Sequence, residues 1–428
     1  MSSINELIAA LQNGRFDAAF TTLYGADAIA HQRLRYQKAA EAYAELYDKN
    51  DDVCFFSAPG RTEIGGNHTD HNHGCVVAGS ENLDVIAVAA KSNEPTIRIK
   101  SAGYKADVID LNDLQVRQDE YNRSSALVRG VADRFCQLGY TVGGVRAYTT
   151  SEVLKGSGLS SSAAFEVLIG TVLSHLYNGG VVDAVKIAQI AQYAENVHFG
   201  KPCGLMDQMA SSVGGIISID FADTDAPIVE KVDYDFAASG HRLCIVDTAG
   251  NHAALTHEYA AVTDEMKRIS TAMGVNYLRE TSYEAVLANL PELRKACGDR
   301  AVLRALHFFA DNDRVAKEVA ALKENDFEAF LKLVTESGHS SFEYLQNIYS
   351  NTSVHFQGLS VALAVAQRVL GGRGAYRVHG GGFGGTTQNF VPEDLVQEFT
   401  ETLESVFGKG NCHILSIRPC GGVQVLPN

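Results

Sequence analysis

The chain has 428 residues, with 36 Lys or Arg against 51 Asp or Glu, giving a formal charge of −15 and a pI near 5.4. That balance argues against general binding to nucleic acid or an anionic membrane, because both need a basic surface. With 46% hydrophobic and 20% charged residues the chain can bury real cores, and its length suits two large domains.

The N-terminus, Met-Ser-Ser-Ile-Asn-Glu-Leu, has neither the basic nor the apolar stretch of a secretory signal. Residues 1–50 read as helical. Ile4, Leu7, Ile8 and Leu11 recur at helical spacing, and Ala39–Tyr47 is rich in helix formers, so a packing extension or lid is expected. From Val53 short apolar strands alternate with glycine turns: Val53–Ser57, Val76–Ala78, Leu83–Ala90, Thr96–Lys100 and Gly144–Thr149. Helices follow at Ser160–Tyr177 and Val182–His198, with a short one near Leu205 ahead of a strand at Gly215–Asp220. The polar, Pro-containing stretch 223–235 marks a boundary. Three units are therefore expected: a helical extension 1–50, a first domain 51–232 and a second domain 233–428. The second begins with a strand at His241–Asp247 and continues with helical pieces between His252 and Leu370. It closes with strands at Ala375–His379, Thr386–Val391, His413–Ile417 and Val423–Leu426 and a helix at Pro392–Phe407. Strands and helices mixed through both halves predict an α/β or α+β fold. No apolar run approaches the roughly 18 residues that span a bilayer. Eight cysteines lie apart with no C-x-x-C pair, so free thiols in a reducing, cytoplasmic setting are expected.

Four segments carry chemistry. The first is Gly156-Ser-Gly-Leu-Ser-Ser-Ser-Ala-Ala164, between a strand and a helix. Glycines let backbone curl around an anion, and the unpaired N–H groups of a helix's first turn favour negative charge. Ser160, Ser161 and Ser162 add hydroxyls suited to phosphate or magnesium; the structural alternative is a capped helix start with Ser160 as N-cap. A P-loop lysine and a G-x-S-x-G elbow are both absent. The second, Gly380-Gly-Gly-Phe-Gly-Gly385, spells G-x-G-x-x-G but precedes a strand, which rejects a dinucleotide fingerprint. The third, Pro59–Gly74, reads as a polar loop. Its His68, Asp70, His71 and His73 could hold zinc, or could bind the hydroxyls of a polyol, with Arg61 a fixed positive charge beside them. The fourth is Pro202-Cys-Gly-Leu-Met-Asp207-Gln-Met-Ala-Ser211. There an acid between Met206 and Met209 suggests a carboxylate held for a purpose, with Glu195 on the preceding helix within reach.

Together and in this order the segments resemble the galactokinase branch of the GHMP small-molecule kinases, over roughly residues 53–428. The resemblance implies two α/β domains with ATP and a small-molecule sugar in the cleft between them, in a monomer or small homo-oligomer. Asp207 would orient or deprotonate the sugar's anomeric hydroxyl, and Arg61 would hold that carboxylate ionised. Gly156, Ser157, Gly158, Leu159, Ser160 and Ser161 would wrap the ATP phosphates. Ser162 and Glu195 would bind Mg2+, and His68, Asp70 and Tyr259 would contact the sugar. Where the usual signature runs G-R-V-N-L-I-G-E-H-T-D-Y, this chain has G-R-T-E-I-G-G-N-H-T-D-H. Asn67 therefore stands where relatives place a glutamate on the 6-hydroxyl, His71 replaces a tyrosine, and Leu154 replaces a proline. Those departures leave other acceptors open (arabinose, an N-acetylhexosamine or a hexuronic acid). A catalytically silent sugar-binding regulator and a zinc hydrolase are further alternatives.

Overall fold

The computed structural model describes residues 3–153, 158–250, 255–352 and 354–428. Three helices open the chain: α1 (Ile4–Gln12), α2 (Asp17–Tyr24) and α3 (Ile29–Leu46). A capping box starts α1, the Ser3 hydroxyl accepting from the Glu6 N–H while the Glu6 carboxylate accepts from the Ser3 N–H at 2.9 Å.

A first sheet is built from β1 (Val53–Gly65), β2 (Cys75–Ser92), β3 (Thr96–Ser101), β4 (Asp107–Asp110), β5 (Gly144–Ser151), β6 (Ile216–Asp220) and β7 (Ile228–Val232). A second is built from β8 (His241–Asp247), β9 (Ala375–Val378), β10 (Thr386–Pro392) and β11 (Cys412–Leu415), while β12 (Val423–Val425) returns to the first. The strand orders are β12-β1-β2-β5-β3-β4, with β6 and β7 branching from β2, and β11-β8-β10-β9. Helices α4 (Ser124–Gln137), α5 (Ser161–Asn178), α6 (Ala184–Tyr193) and α7 (Met206–Val213) accompany the first sheet. Between β8 and β9 run α8 (Thr256–Ala272), α9 (Tyr283–Ala288), α10 (Leu290–Cys297), α11 (Asp299–Lys323), α12 (Phe327–Ser340) and α13 (Gly358–Leu370), and α14 (Val396–Phe407) follows β10. The architecture is the expected mixture of strands and helices.

Alternation along β1 and β2 explains the layers. Val53, Phe55, Ile86, Val88 and Ala90 meet the aromatic face of α1–α3, including Phe16, Phe20 and Tyr36. Cys54, Phe56, Ala58, Val85, Ala87 and Ala89 point the other way, into the core shared with α4, α5 and α6. Strands buried on both faces read as unbroken apolar runs. The extension 1–50 thus packs over one face of the sheet. The strands expected at 76–78 and 83–90 are one, β2: Gly79 and Ser80 stay paired with Thr62 and Arg61, and after a bulge at 81–83 the ladder resumes with Asp84 opposite Pro59.

Asp84 is fully buried, and four groups satisfy it. Arg35 of α3 donates to Oδ1 at 2.6 Å. Tyr24 of α2 at 2.6 Å, Arg418 at 3.2 Å and the Ser57 hydroxyl donate to Oδ2. Burial alone would raise its carboxyl, but the Arg35 and Arg418 guanidiniums outweigh it and hold the group below the usual range. Among the described residues no helix is long and apolar enough to cross a membrane, and all eight cysteines are free.

Candidate active site

Pro59–Gly65, expected as loop, is the last part of β1, and only the residues after it turn away from the sheet. The reason is pairing, since this stretch continues the ladder with β2 as far as Gly65 opposite Val77. Register shifts between Pro59 and Arg61 and between Glu63 and Gly65 bracket the two charged residues. Bulges of this kind re-aim side chains beside functional sites. Arg61 and Glu63, two apart on a strand, project together into a cavity of about 210 Å³. Thr62 between them turns the other way, to His379 at 3.1 Å and Gln388 at 2.5 Å. A larger concavity of about 1060 Å³, between α12 and the edge of the second sheet, contains none of the residues singled out by sequence.

Arg61, the 158–160 turn and Asp207 meet at one wall of the smaller cavity. Arg61 Nε donates to Asp207 Oδ1 at 2.7 Å, and its Nη1 donates to the Gly158 carbonyl. Asp207 lies in the first turn of α7, where the helix N-terminus favours a carboxylate. Its side chain is 33% exposed against 7% for Arg61, so the acid faces the opening and the base lies behind it. Burial alone would raise the Asp207 carboxyl; the Arg61 guanidinium and the Ser160 hydroxyl outweigh it and keep the group ionised at neutral pH. Ser160 holds the N-cap position of α5 as expected, but its side chain does not cap the helix. With φ +56° and ψ +59° its backbone is left-handed, it makes no cap bond to α5, and its hydroxyl donates to Asp207 Oδ2 instead. Gly158 is also left-handed, at φ +77°, so the chain doubles back before α5 and leaves the first N–H groups of that helix uncapped by a side chain. Leu154, Gly156 and Ser157 lie outside the described residues; Leu159 is buried, and Ser161 begins α5.

The opposite wall is made by the turn after β1 and the glycine loop after β9. His68, with φ +59°, donates Nε2–H to the Gly381 carbonyl at 3.0 Å, which leaves Nδ1 as an acceptor. Burial lowers its pKa to about 4, so the ring is neutral. Asp70 lines the cavity, its Oδ1 accepting from the His71 N–H at 2.9 Å. Its Oδ2 explains a glycine of the Cys-Gly-Leu-Met-Asp-Gln segment: a Cβ at Gly204 would come within 2.3 Å of it.

Two sugar contacts implied by the resemblance are not brought to the cavity. Asn67 is fully buried and its amide is saturated. Nδ2 donates to Glu63 Oε1 at 2.7 Å and Gly380 O at 2.9 Å, while Oδ1 accepts from Asn347 at 2.8 Å and Ser341 at 3.2 Å. Its position is wall, not surface. Tyr259 packs on the glycine loop, donating to the Gly382 carbonyl at 2.8 Å with its ring against Phe383, and is not among the lining residues. The zinc alternative also lacks geometry. His73 stacks on Tyr277 with ring centroids 3.7 Å apart, whereas His68 and His71 border the cavity. No group of three metal-ligating side chains occurs among the described residues.

Ser162 and Glu195 do come together, the serine hydroxyl 3.4 Å from Glu195 Oε1. Glu195 belongs to a π-helical turn, Ala194–Phe199, that widens the end of α6, an irregularity frequent at functional sites. Gln208 donates to its Oε2 at 2.8 Å and to Glu166 at 3.2 Å; Lys201 reaches its Oε1 at 3.0 Å. A hydroxyl and a carboxylate are hard oxygen donors, and magnesium typically takes one or two carboxylates with water and phosphate completing its shell. The pair therefore fits that ion, with Lys201 already supplying positive charge at the same oxygen. Glu63, Lys201 and Gln208 were not singled out from sequence. Period-two spacing from Arg61 would have found Glu63 had 59–65 been read as strand.

A helix N-terminus behind a glycine-serine turn, an Arg–Asp pair and a polyol-sized polar cavity define a small-molecule kinase, and the comparisons agree. The model for the GHMP kinases N terminal domain matches residues 126–215. The galactokinase galactose-binding signature matches residues 41–91, beginning inside the extension that had been expected to lie outside the resemblance. Galactokinase of Streptomyces coelicolor is 31% identical over 369 residues, covering 86% of this chain and 92% of that protein. Galactokinase of Clostridium beijerinckii is 28% identical over 375 residues, 85% of this chain and 92% of that one. The crystal structure of Lactococcus lactis galactokinase complexed with galactose has the same fold, with TM-score 0.77 and 24% identity over 91% of this chain and 100% of that one. The chain belongs to the galactokinase family.

Proposed function

We propose that the protein transfers the γ-phosphoryl group of ATP to the anomeric oxygen of galactose, giving galactose 1-phosphate and ADP. The observation that carries the reading is the contact of Arg61 with Asp207 at 2.7 Å beside the serine-bearing turn. The uncapped start of α5 and the left-handed turn before it suit ATP phosphates. Asp207, ionised and facing the cavity, accepts the hydrogen bond of the sugar's anomeric hydroxyl and orients it for in-line attack. As the oxygen–phosphorus bond forms and the bond to ADP breaks, the proton passes to this carboxylate or to solvent. Arg61 offsets charge on the transferred group, because its guanidinium is fixed at both ends, by Asp207 and by the Gly158 carbonyl. Ser162 and Glu195 would hold Mg2+, which supplies charge neutralisation to the phosphates when bound. Phosphoryl transfer of this kind is mostly positioning plus electrostatics, so no phosphate-loop lysine is required. A cytoplasmic location belongs to the same proposal, supported by eight free thiols, and so does a division into 1–50, 51–232 and 233–428, corrected at its end because β12 (Val423–Val425) joins the first sheet.

The test is an ADP-release assay over galactose, arabinose, N-acetylgalactosamine and galacturonate. Galactose should give the highest kcat/KM, and Asp207→Asn should lower kcat by about 10²–10⁴-fold with ATP affinity nearly unchanged. A fully active Asp207→Asn enzyme, or no turnover of any sugar by the wild type, would reject the reading.

A further inference from the structure

We propose that Glu63 is the side chain that reads a hydroxyl of the acceptor sugar and sets which sugars are accepted, the role the resemblance gave to Asn67. The proposal rests on the cavity being the acceptor site.

Glu63 is 5% exposed and lines the cavity two residues along β1 from Arg61. Its Oε1 is pinned, accepting from Asn67 Nδ2 at 2.7 Å and from Arg377 Nη2 at 3.4 Å. Arg377 is itself fully buried and fixed to the Ile64 and Val378 carbonyls. Oε2 has no hydrogen-bond partner among the described residues and is not one of the sealed, orphaned atoms of the interior. With Oε1 engaged, Oε2 is the oxygen left to meet a ligand in the cavity that Glu63 lines. A carboxylate so held offers one acceptor at one position, which is what selectivity requires of a binding group. Asn67 acts through it: saturated on all four sides, it locks the rotamer of Glu63 and cannot reach a ligand.

The lining also fixes the sign of the preference. Glu63, Asp70 and Asp207 are acidic, His68 is neutral, and Arg61 is the only Lys or Arg among the lining residues and is engaged by Asp207. A sugar hydroxyl can donate to Glu63 Oε2. A sugar carboxylate placed there would face Asp70, Asp207 and, above about pH 7, an ionised Glu63, with no free cation to answer it, so neutral sugars are favoured over hexuronates.

Steady-state kinetics of the full chain at saturating ATP test this, using galactose, the monodeoxygalactoses and galacturonate. Glu63→Gln keeps an acceptor for Asn67 and Arg377 but turns an NH2 to the cavity. Its KM for galactose should rise about tenfold with KM for ATP within twofold of wild type. One monodeoxygalactose that costs the wild type about tenfold in kcat/KM should cost the variant nothing further, and discrimination against galacturonate should shrink. An unchanged galactose KM, or identical deoxygenation penalties in both enzymes, overturns the assignment while leaving galactose phosphorylation standing. A wild type inactive on every sugar overturns the acceptor-site reading and this proposal with it. Should Glu63→Gln fail to fold, Glu63→Asp keeps the charge opposite Arg377 and withdraws the oxygen by one methylene. The same rise in KM is then expected, and its absence sinks the assignment.

Discussion

The buried carboxylate of Asp84 and the carboxylates that line the cavity carry opposite electrostatic designs. At Asp84 both oxygens are used up by Arg35, Arg418, Tyr24 and Ser57, and the group joins α2, α3, β1, β2 and the segment before β12. At the cavity, Glu63 and Asp70 line the space with one oxygen each engaged, and Asp207 shares its two between Arg61 and Ser160 while a third of its side chain stays exposed. The difference is one of satisfaction rather than of residue type. A buried charge whose oxygens are all met by donors within the chain holds segments together; one that keeps an oxygen unmet or a face exposed is open to a ligand.

Mutations should separate the two. Asp84→Ala leaves two guanidiniums buried without their carboxylate, so equilibrium urea unfolding should show a loss of about 3–5 kcal/mol, with KM for sugar and ATP unchanged in the folded fraction. Asp207→Asn should do the reverse, lowering kcat by about 10²–10⁴-fold while its amide oxygen still accepts from Arg61 and stability falls by less than in Asp84→Ala. If it unfolded the protein instead, the contrast between the two regions would collapse. Ser160→Ala removes one charge-assisted hydrogen bond from Asp207, so kcat should drop about tenfold, on the order of 1.5 kcal/mol. Stopped assays at saturating substrate measure it.

The smallest effect is on the pH dependence of stability, and its two halves have opposite sign. Asp84 is held low, so its contribution is present above the ordinary carboxylate range and lost as pH falls through that range and below. Burial pushes Glu63 up to about 7, against Arg377 and Arg61 and with Asp70 adding to the rise. Between the ordinary range and about 7 the native state keeps a proton the unfolded chain has lost, so stability declines as pH rises across that window. Urea midpoints measured from pH 2.5 to 8 should show a shallower decline in Glu63→Gln, the remainder coming from Glu318, which burial pushes up to about 8, and should keep the acid-side fall.

Much of the site was legible because its parts are spelled locally. The glycine-serine turn, Arg61, Asp70 and Asp207 are each marked by residue types that few other roles require. Partner choice was not legible. Ser160 looks like a helix cap in sequence, and only a left-handed backbone at the end of the turn sends its hydroxyl to Asp207. Glu63 was hidden by the polar spelling of Pro59–Gly65, which reads as loop although its ladder with β2 makes it strand. Asn67 looked available because its saturation depends on Ser341, Asn347 and Gly380, all far along the chain. In the fold, strand alternation was clear where cores are apolar. It failed for β4, a four-residue edge strand with an aspartate at each end.

The pairing of β12 with β1 has a consequence for biosynthesis. Phe55 lies opposite Val425, and Arg418 reaches Ser57 across 361 positions of sequence. The N-terminal half leaves the ribosome lacking one of the two neighbours of its first strand, β12, and one of the two cations for Asp84. Until translation is nearly complete that half is a sheet with an open margin, whose unpaired edge invites pairing with other chains.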